Sequence, residues 1–173
     1  MMERTGLVTM RGNPITLVGN EIKAGDVAPN FVVADNTLKP VEFSEFAGKV
    51  CIISSVPSLD TPICDMSTRR FNQEAGNLGA DTVILTISMD LPFAQARWCG
   101  AAGVDAVKTL SDYKEASFGL AYGVLIKEHR LLARAVFVVD RNGKVQYVDL
   151  VKEIAQEPNY DGALAAAKKL TSM

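Results

Sequence analysis

Three apolar runs rich in β-branched residues punctuate the chain: 50–55 (VCIISS), 82–87 (TVILTI) and 135–139 (AVFVV). Runs of that length and composition read as strands buried on both faces. Residues 7–11 and 15–18 run apolar or alternate around Gly12-Asn13-Pro14, the pattern of an N-terminal β-hairpin. Residues 31–34 and 41–43 form two more short strand candidates, separated by a turn-rich stretch. Arg141-Asn142-Gly143 turns the run at 135–139 into a hairpin partner at 144–148.

Helical periodicity fills the spaces between these strands. From Pro62 to about residue 77, Ile63, Met66, Phe71 and Ala75 fall roughly on one side, with Gly76 and Gly79 marking the end. A second helix begins at Pro92, capped by Asp90 or Leu91, and breaks around Gly100 and Gly103. Asp112 with Glu115 has the spacing of a capping box for a short helix ending near Gly119. Asn159 caps a last helix, with Asp161 near its start and Lys168 and Lys169 near its end, matching the dipole. Strands alternating with helices and closing in a hairpin predict an α/β fold, a mixed central sheet with helices on both faces.

A length of 173 residues fits one domain, 1–173, with residues 1–20 as the hairpin extension. Hydrophobic residues at 48% and charged residues at 22% are an ordinary globular composition. The formal net charge of -2 gives no argument for nucleic acid or an anionic membrane as partner. The longest apolar runs are strand-sized, far short of a bilayer span. The first six residues carry no long apolar signal region, and the expected location is cytoplasmic. Three cysteines, at 51, 64 and 99, make neither a secreted disulfide framework nor a C-x-x-C pair. With a single histidine, His129, the chain has too few soft ligands for a zinc site, and no cofactor is expected.

The chemistry gathers at Val56-Pro57-Ser58-Leu59-Asp60-Thr61-Pro62-Ile63-Cys64, between the first buried strand and the first long helix. Pro62 suits the first helical position, where its missing N–H would be unpaired anyway. Thr61 is then the N-cap and Cys64 stands at the third helical position, facing backbone N–H groups and the positive helix end. Thiols in such places deprotonate readily and act as nucleophiles. Free cysteine is also a common buried residue, so a packing role for Cys64 stands beside the nucleophilic one. Cys51, flanked by Val50, Ile52 and Ile53, reads as a small apolar core residue. His129 sits in the polar segment Lys127-Glu128-His129-Arg130, a solvated loop.

Pro57, Thr61 and Cys64 form P-x-x-x-T-x-x-C, which resembles the active-site motif of the peroxiredoxins. The blocks SVPSLDTPIC, DLPFAQARWCG, LARAVFVVD and EPNYDGALAA, in that order, are similar to the thiol peroxidase (Tpx) branch, the atypical two-cysteine peroxiredoxins, across nearly the whole chain. The resemblance implies a thioredoxin-like fold of peroxiredoxin type and reduction of hydrogen peroxide and organic hydroperoxides in antioxidant defence. It implies that Cys64 becomes a sulfenic acid and that Cys99 resolves it into an intrachain disulfide, recycled by thioredoxin. Thr61 matches a hydroxyl that bonds the sulfur and the peroxide, and Pro57 a residue that limits water. Arg134 matches the active-site arginine. From the residues alone, Arg134 is a strand-end charge, with Arg130 and Arg69 as competitors, and Cys99 is buried filler near a helix end. A homodimer is implied as well.

Cysteines on two separate helices rarely lie within the roughly 7 Å Cα separation that a disulfide needs, so turnover should involve local unfolding. Two other function classes use the same residues. One is a redox sensor that signals through a partner; the other is a binding domain with inert thiols.

Overall fold

The computed structural model describes residues 2–75, 77–103 and 107–172, with Ala75 and Ala102 described by their backbone only. Its elements in chain order are β1 (Glu3–Met10), β2 (Asn13–Val18), β3 (Val32–Ala34), β4 (Pro40–Glu42), β5 (Val50–Ser55), α1 (Pro62–Ala75), β6 (Thr82–Ser88) and α2 (Pro92–Ala102). They continue with β7 (Lys108–Ser111), α3 (Ser117–Ala121), β8 (Leu125–Ile126), β9 (Leu131–Leu132), β10 (Ala135–Val139), β11 (Val145–Leu150) and α4 (Tyr160–Thr171). Among the described residues the strands form two sheets, one of seven strands in the order β11-β10-β5-β6-β7-β3-β4 and one of four in the order β1-β2-β8-β9. β5, β6 and β7 run parallel and the remaining pairs antiparallel, the mixed sheet expected from the apolar runs.

Side-chain alternation along β5 divides the core. Val50 and Ile52 point to the face that also buries Phe71 of α1 and Ala163, Leu164 and Ala167 of α4. Cys51 and Ile53 point to the other face, which meets Phe118 of α3 and Val8, Ile15, Leu17, Ile126 and Leu132 of the small sheet. Helices therefore cover both faces, and the N-terminal hairpin shares the second face as part of that sheet. β5 lies inside the sheet between β10 and β6, and its C-terminal end, where Val56 and Pro57 follow, opens into a region that α1 and α2 both border.

Several local expectations are corrected. On α1 the buried residues are Cys64, Ser67, Thr68 and Phe71, while Met66 is exposed and Ile63 half-buried. The helix turns toward the core the side that carries Cys64, because that side faces β5, β6 and α4. Gly76, expected at its end, lies outside the described residues. Helix α2 runs through Gly100 to Ala102 and stops at Gly103, whose left-handed φ of 66° suits glycine at a helix end. Leu91 takes the N-cap position of α2 without a side-chain bond. The Asp112–Glu115 capping box does not form: α3 starts at Ser117, and Asp112 instead accepts hydrogen bonds from the backbone N–H groups of Phe118 and Gly119 at 3.0 and 2.8 Å. Strands β7, β8 and β9 have no counterpart among the apolar runs, being four, two and two residues long. The Asn159 cap is present, its side chain accepting from Gly162 N at 3.0 Å.

Candidate active site

Where β5 ends, the chain passes through Val56 and the buried Pro57 into an extended loop before entering α1. Asp90, just past the end of the neighbouring strand β6, braces that loop. Its Oδ1 accepts from Ser58 Oγ at 2.7 Å, and its Oδ2 accepts from Leu59 N at 2.8 Å and Ser88 Oγ at 2.7 Å. Sequence reasoning missed this role and considered Asp90 only as a helix cap. The available signal was position, since parallel neighbours β5 and β6 end side by side and bring Ser58 and Asp90 together.

Thr61 ends the loop as the expected cap, its Oγ1 accepting from Cys64 N at 3.4 Å and donating to Ser58 O at 3.1 Å. A bond from this hydroxyl to the Cys64 sulfur is not among the described contacts. Cys64 is fully buried and packs with Val56, Leu59 and the partly buried Trp98. Thr68 Oγ1 donates to the Cys64 carbonyl at 2.9 Å, which pins the residue from the next turn of α1.

Arg134, the residue before β10, is itself only 3% exposed. Its Nη1 donates to Cys64 Sγ at 3.1 Å and its Nε to Ile154 O at 3.0 Å. The guanidinium thus presents a buried cation and an N–H donor directly to the Cys64 sulfur. The rival arginines are placed elsewhere. Arg130 is exposed in a turn, and Arg69 pairs with Asp65 at 2.9 Å. The structure thus brings Thr61, Cys64 and Arg134 together, with Pro57 buried in the loop that leads to them.

Cys99 belongs to the neighbouring helix but faces another way. Its sulfur lies 3.2 Å from Thr109 Oγ1 on β7, in a recess also lined by Asn36 and Lys108. The residue of α2 that reaches the Cys64 cluster is Trp98, about 100° around the helix from Cys99. Trp98 Nε1 donates to Asp65 Oδ1 at 2.9 Å, so the two helices are latched beside Cys64. Cys51, Cys64 and Cys99 are all free thiols. Burial in the sheet pushes the Cys51 thiol up to about 12, which keeps it protonated and unreactive at physiological pH. Among the described residues no three His, Cys, Asp or Glu side chains are grouped to hold a metal ion, and no helix is long and apolar enough to cross a membrane.

Comparison with known proteins agrees with this geometry. The redoxin family model matches residues 23–164. The thiol peroxidase of Bacillus subtilis is 57% identical over 94% of this chain and 97% of its own length. That of Staphylococcus aureus (strain MRSA252) is 52% identical over 94% of this chain and 98% of its own. Among solved structures, a peroxiredoxin-like protein from Aquifex aeolicus superposes with a TM-score of 0.89 at 42% identity, covering 96% of this chain and 98% of that one. The thiol peroxidase of Chromobacterium violaceum, at 19% identity and a TM-score of 0.83 over 94% of this chain and 95% of its own, shares the fold. A family model spanning most of the sequence and relatives more than half identical along almost all of it lead to one conclusion: the chain belongs to the thiol peroxidase family of the redoxins and is a thiol-dependent peroxidase.

Proposed function

We propose that Cys64 is the peroxide-reducing thiol and Cys99 the thiol that resolves it. The observation that carries this reading is the buried Arg134 guanidinium, 3.1 Å from the Cys64 sulfur at the first turn of α1. The Cys64 thiolate attacks the terminal oxygen of a hydroperoxide and the O–O bond breaks. The other oxygen leaves with its electron pair, takes a proton and departs as water or an alcohol, while Cys64 becomes a sulfenic acid. Arg134 stabilises the thiolate before attack and the negative charge that develops on oxygen during it. Thr61, freed from Ser58, turns its hydroxyl toward the incoming peroxide, and Pro57 keeps bulk water off the sulfur.

The Cys99 thiolate then attacks the Cys64 sulfur, expelling hydroxide, which leaves as water, and forming an intrachain disulfide. A thioredoxin-type dithiol returns both sulfurs to thiols with two electrons and two protons. Because Cys99 faces Thr109 while Trp98 occupies the space beside Cys64, the disulfide requires α2 or the start of α1 to unwind locally. The single weak end of α2 at Gly103 supports movement on that side. The whole chain acts as one domain in a reducing, cytoplasmic setting, and the exposed apolar side chains Met66, Leu91 and Phe93 on the elements bordering the site support a homodimer.

Steady-state consumption of hydrogen peroxide with thioredoxin, its reductase and NADPH tests this reading. Cys64→Ser should have no activity, and Cys99→Ser should react with peroxide once but fail to recycle through thioredoxin. Turnover by Cys64→Ser at the wild-type rate would refute the assignment.

A further inference from the structure

The guanidinium of Arg134 is held from two sides, and only one of them is the sulfur. Its Nε donates to the carbonyl of Ile154, and because the group is a rigid planar fork, that bond sets where Nη1 lies relative to Cys64 Sγ. Ile154 belongs to the segment 151–159 between β11 and α4, which has no regular secondary structure of its own. The position of its carbonyl therefore depends on the contacts that tie the segment down.

Val151 N donates to Arg134 O at 3.0 Å and Asn159 N to Asp149 Oδ2 at 2.8 Å near the segment's two ends, and the contacts flanking Ile154 come from the N-terminal hairpin. Thr9 N donates to Lys152 O at 2.8 Å, and Ile154 N donates to Thr9 O at 3.0 Å. The Glu153 carboxylate adds side-chain bonds in both directions. Its Oε1 accepts from Thr9 Oγ1 at 3.1 Å and from Gly12 N at 2.9 Å, and its Oε2 accepts from Ala155 N at 2.9 Å. One carboxylate thus binds the hairpin at the end of β1, the hairpin turn, and its own segment on the far side of Ile154. The backbone donors of Ala155 and Gly12 lower the Glu153 pKa, so these bonds are made to the charged form.

We propose that Glu153 is a positioning residue for peroxide reduction, through which the N-terminal hairpin sets the Arg134 guanidinium against the Cys64 sulfur. The inference rests on the reading of Arg134 given above. Glu153 touches neither sulfur nor peroxide. It fixes the Ile154 carbonyl, which aligns Nε, which aligns Nη1. A misplacement of about 1 Å in a reacting group can cost about 100-fold in rate. A loosened but still present Ile154 carbonyl should cost less, about tenfold.

The test is a double-mutant cycle read as the second-order rate constant for peroxide with Cys64. Glu153→Ala should react about tenfold more slowly than wild type. In an Arg134→Met background the same substitution should cost nothing further, because no guanidinium remains to be aligned. Thr9→Val, which removes the hydroxyl shared between Glu153 Oε1 and Lys152 O and keeps the backbone pairing, should show a loss of about threefold that also vanishes in Arg134→Met. A purely structural role for Glu153 predicts equal losses in both backgrounds, and that result overturns the proposal. So does a wild-type rate in Glu153→Ala. Should Glu153→Ala fail to fold by circular dichroism, Thr9→Val carries the cycle, and a wild-type rate there is equally fatal. An Arg134→Met protein reacting at the wild-type rate would instead remove the underlying reading, and the inference with it.

Discussion

On the proposed route from Cys64 to a Cys64–Cys99 disulfide, the latch between α1 and α2 should set how fast the second sulfur reaches the first. Trp98 Nε1 donates to Asp65 Oδ1 at 2.9 Å, and Arg69 Nε donates to the other carboxylate oxygen, Oδ2, at the same distance. Asp65→Ala removes the acceptor while leaving the Trp98 ring packed against Val56, Leu59 and Cys64. A hydrogen bond to a charged group contributes about 1.5–3 kcal/mol when well shielded. The Asp65 side chain is 33% exposed, so solvent screening reduces this to about 1 kcal/mol. If the disulfide forms only from the separated arrangement, its population and the rate of disulfide formation should rise about fivefold. Trp98 is the only tryptophan, which makes intrinsic fluorescence in a stopped-flow instrument a direct probe of the latch. Asp65 adjoins Cys64 in sequence, so the first, peroxide-dependent step is not the readout. The relevant quantity is therefore the second phase, whose rate does not depend on peroxide concentration. Wild type and Asp65→Ala with the same second-phase rate would show that the helices do not need to part there.

Three further outcomes follow from the geometry. Arg134→Met should slow the reaction of Cys64 with peroxide about 10- to 100-fold, the loss of one buried charge-assisted bond, measured by competition for hydrogen peroxide; an unchanged rate moves the role to another group. Cys51, pushed up to about 12 by burial, should resist alkylation by iodoacetamide in the native protein at pH 8 while Cys64 is modified, as read by peptide mass. Burial raises Asp112 from 3.8 to about 6, outweighing the backbone N–H groups that favour its charge. The folded state then binds that proton more tightly than the unfolded state, so this group's contribution to stability falls as pH rises from about 4 to 6, by up to about 3 kcal/mol. Denaturant unfolding of Asp112→Asn should gain on wild type by that order between pH 4 and pH 7, and a constant difference would contradict the assignment.

The long β-branched runs were legible because continuous apolar character over five or six residues suits a strand buried on both faces, and β5, β6 and β10 are such strands. The Pro62 start and the Thr61 and Asn159 caps were legible because capping chemistry is local. Strands β8 and β9 were not, since two residues carry no period and form only because β2 offers an edge. The face of α1 was misjudged at Met66 because periodicity gives spacing and not direction. The polar side bearing Ser67 and Thr68 is the buried one, satisfied by Tyr160 and by the Cys64 carbonyl. Arg134 was singled out over Arg130 and Arg69 only by the resemblance of its sequence block, because chemistry in one dimension does not separate three arginines; the contact with Cys64 Sγ is tertiary. Asp90 and Glu153 were invisible for the same reason: each acts on residues more than 30 positions away.

The central claim is that oxidation by peroxide begins at Cys64 and ends in a bond to Cys99. The direct measurement is to add one equivalent of hydrogen peroxide to the reduced protein, alkylate the remaining thiols and map peptides under non-reducing conditions. The account predicts a single intrachain Cys64–Cys99 linkage with Cys51 left as an alkylated thiol. Recovery of Cys64 and Cys99 as unoxidised thiols, or a linkage through Cys51, would contradict it.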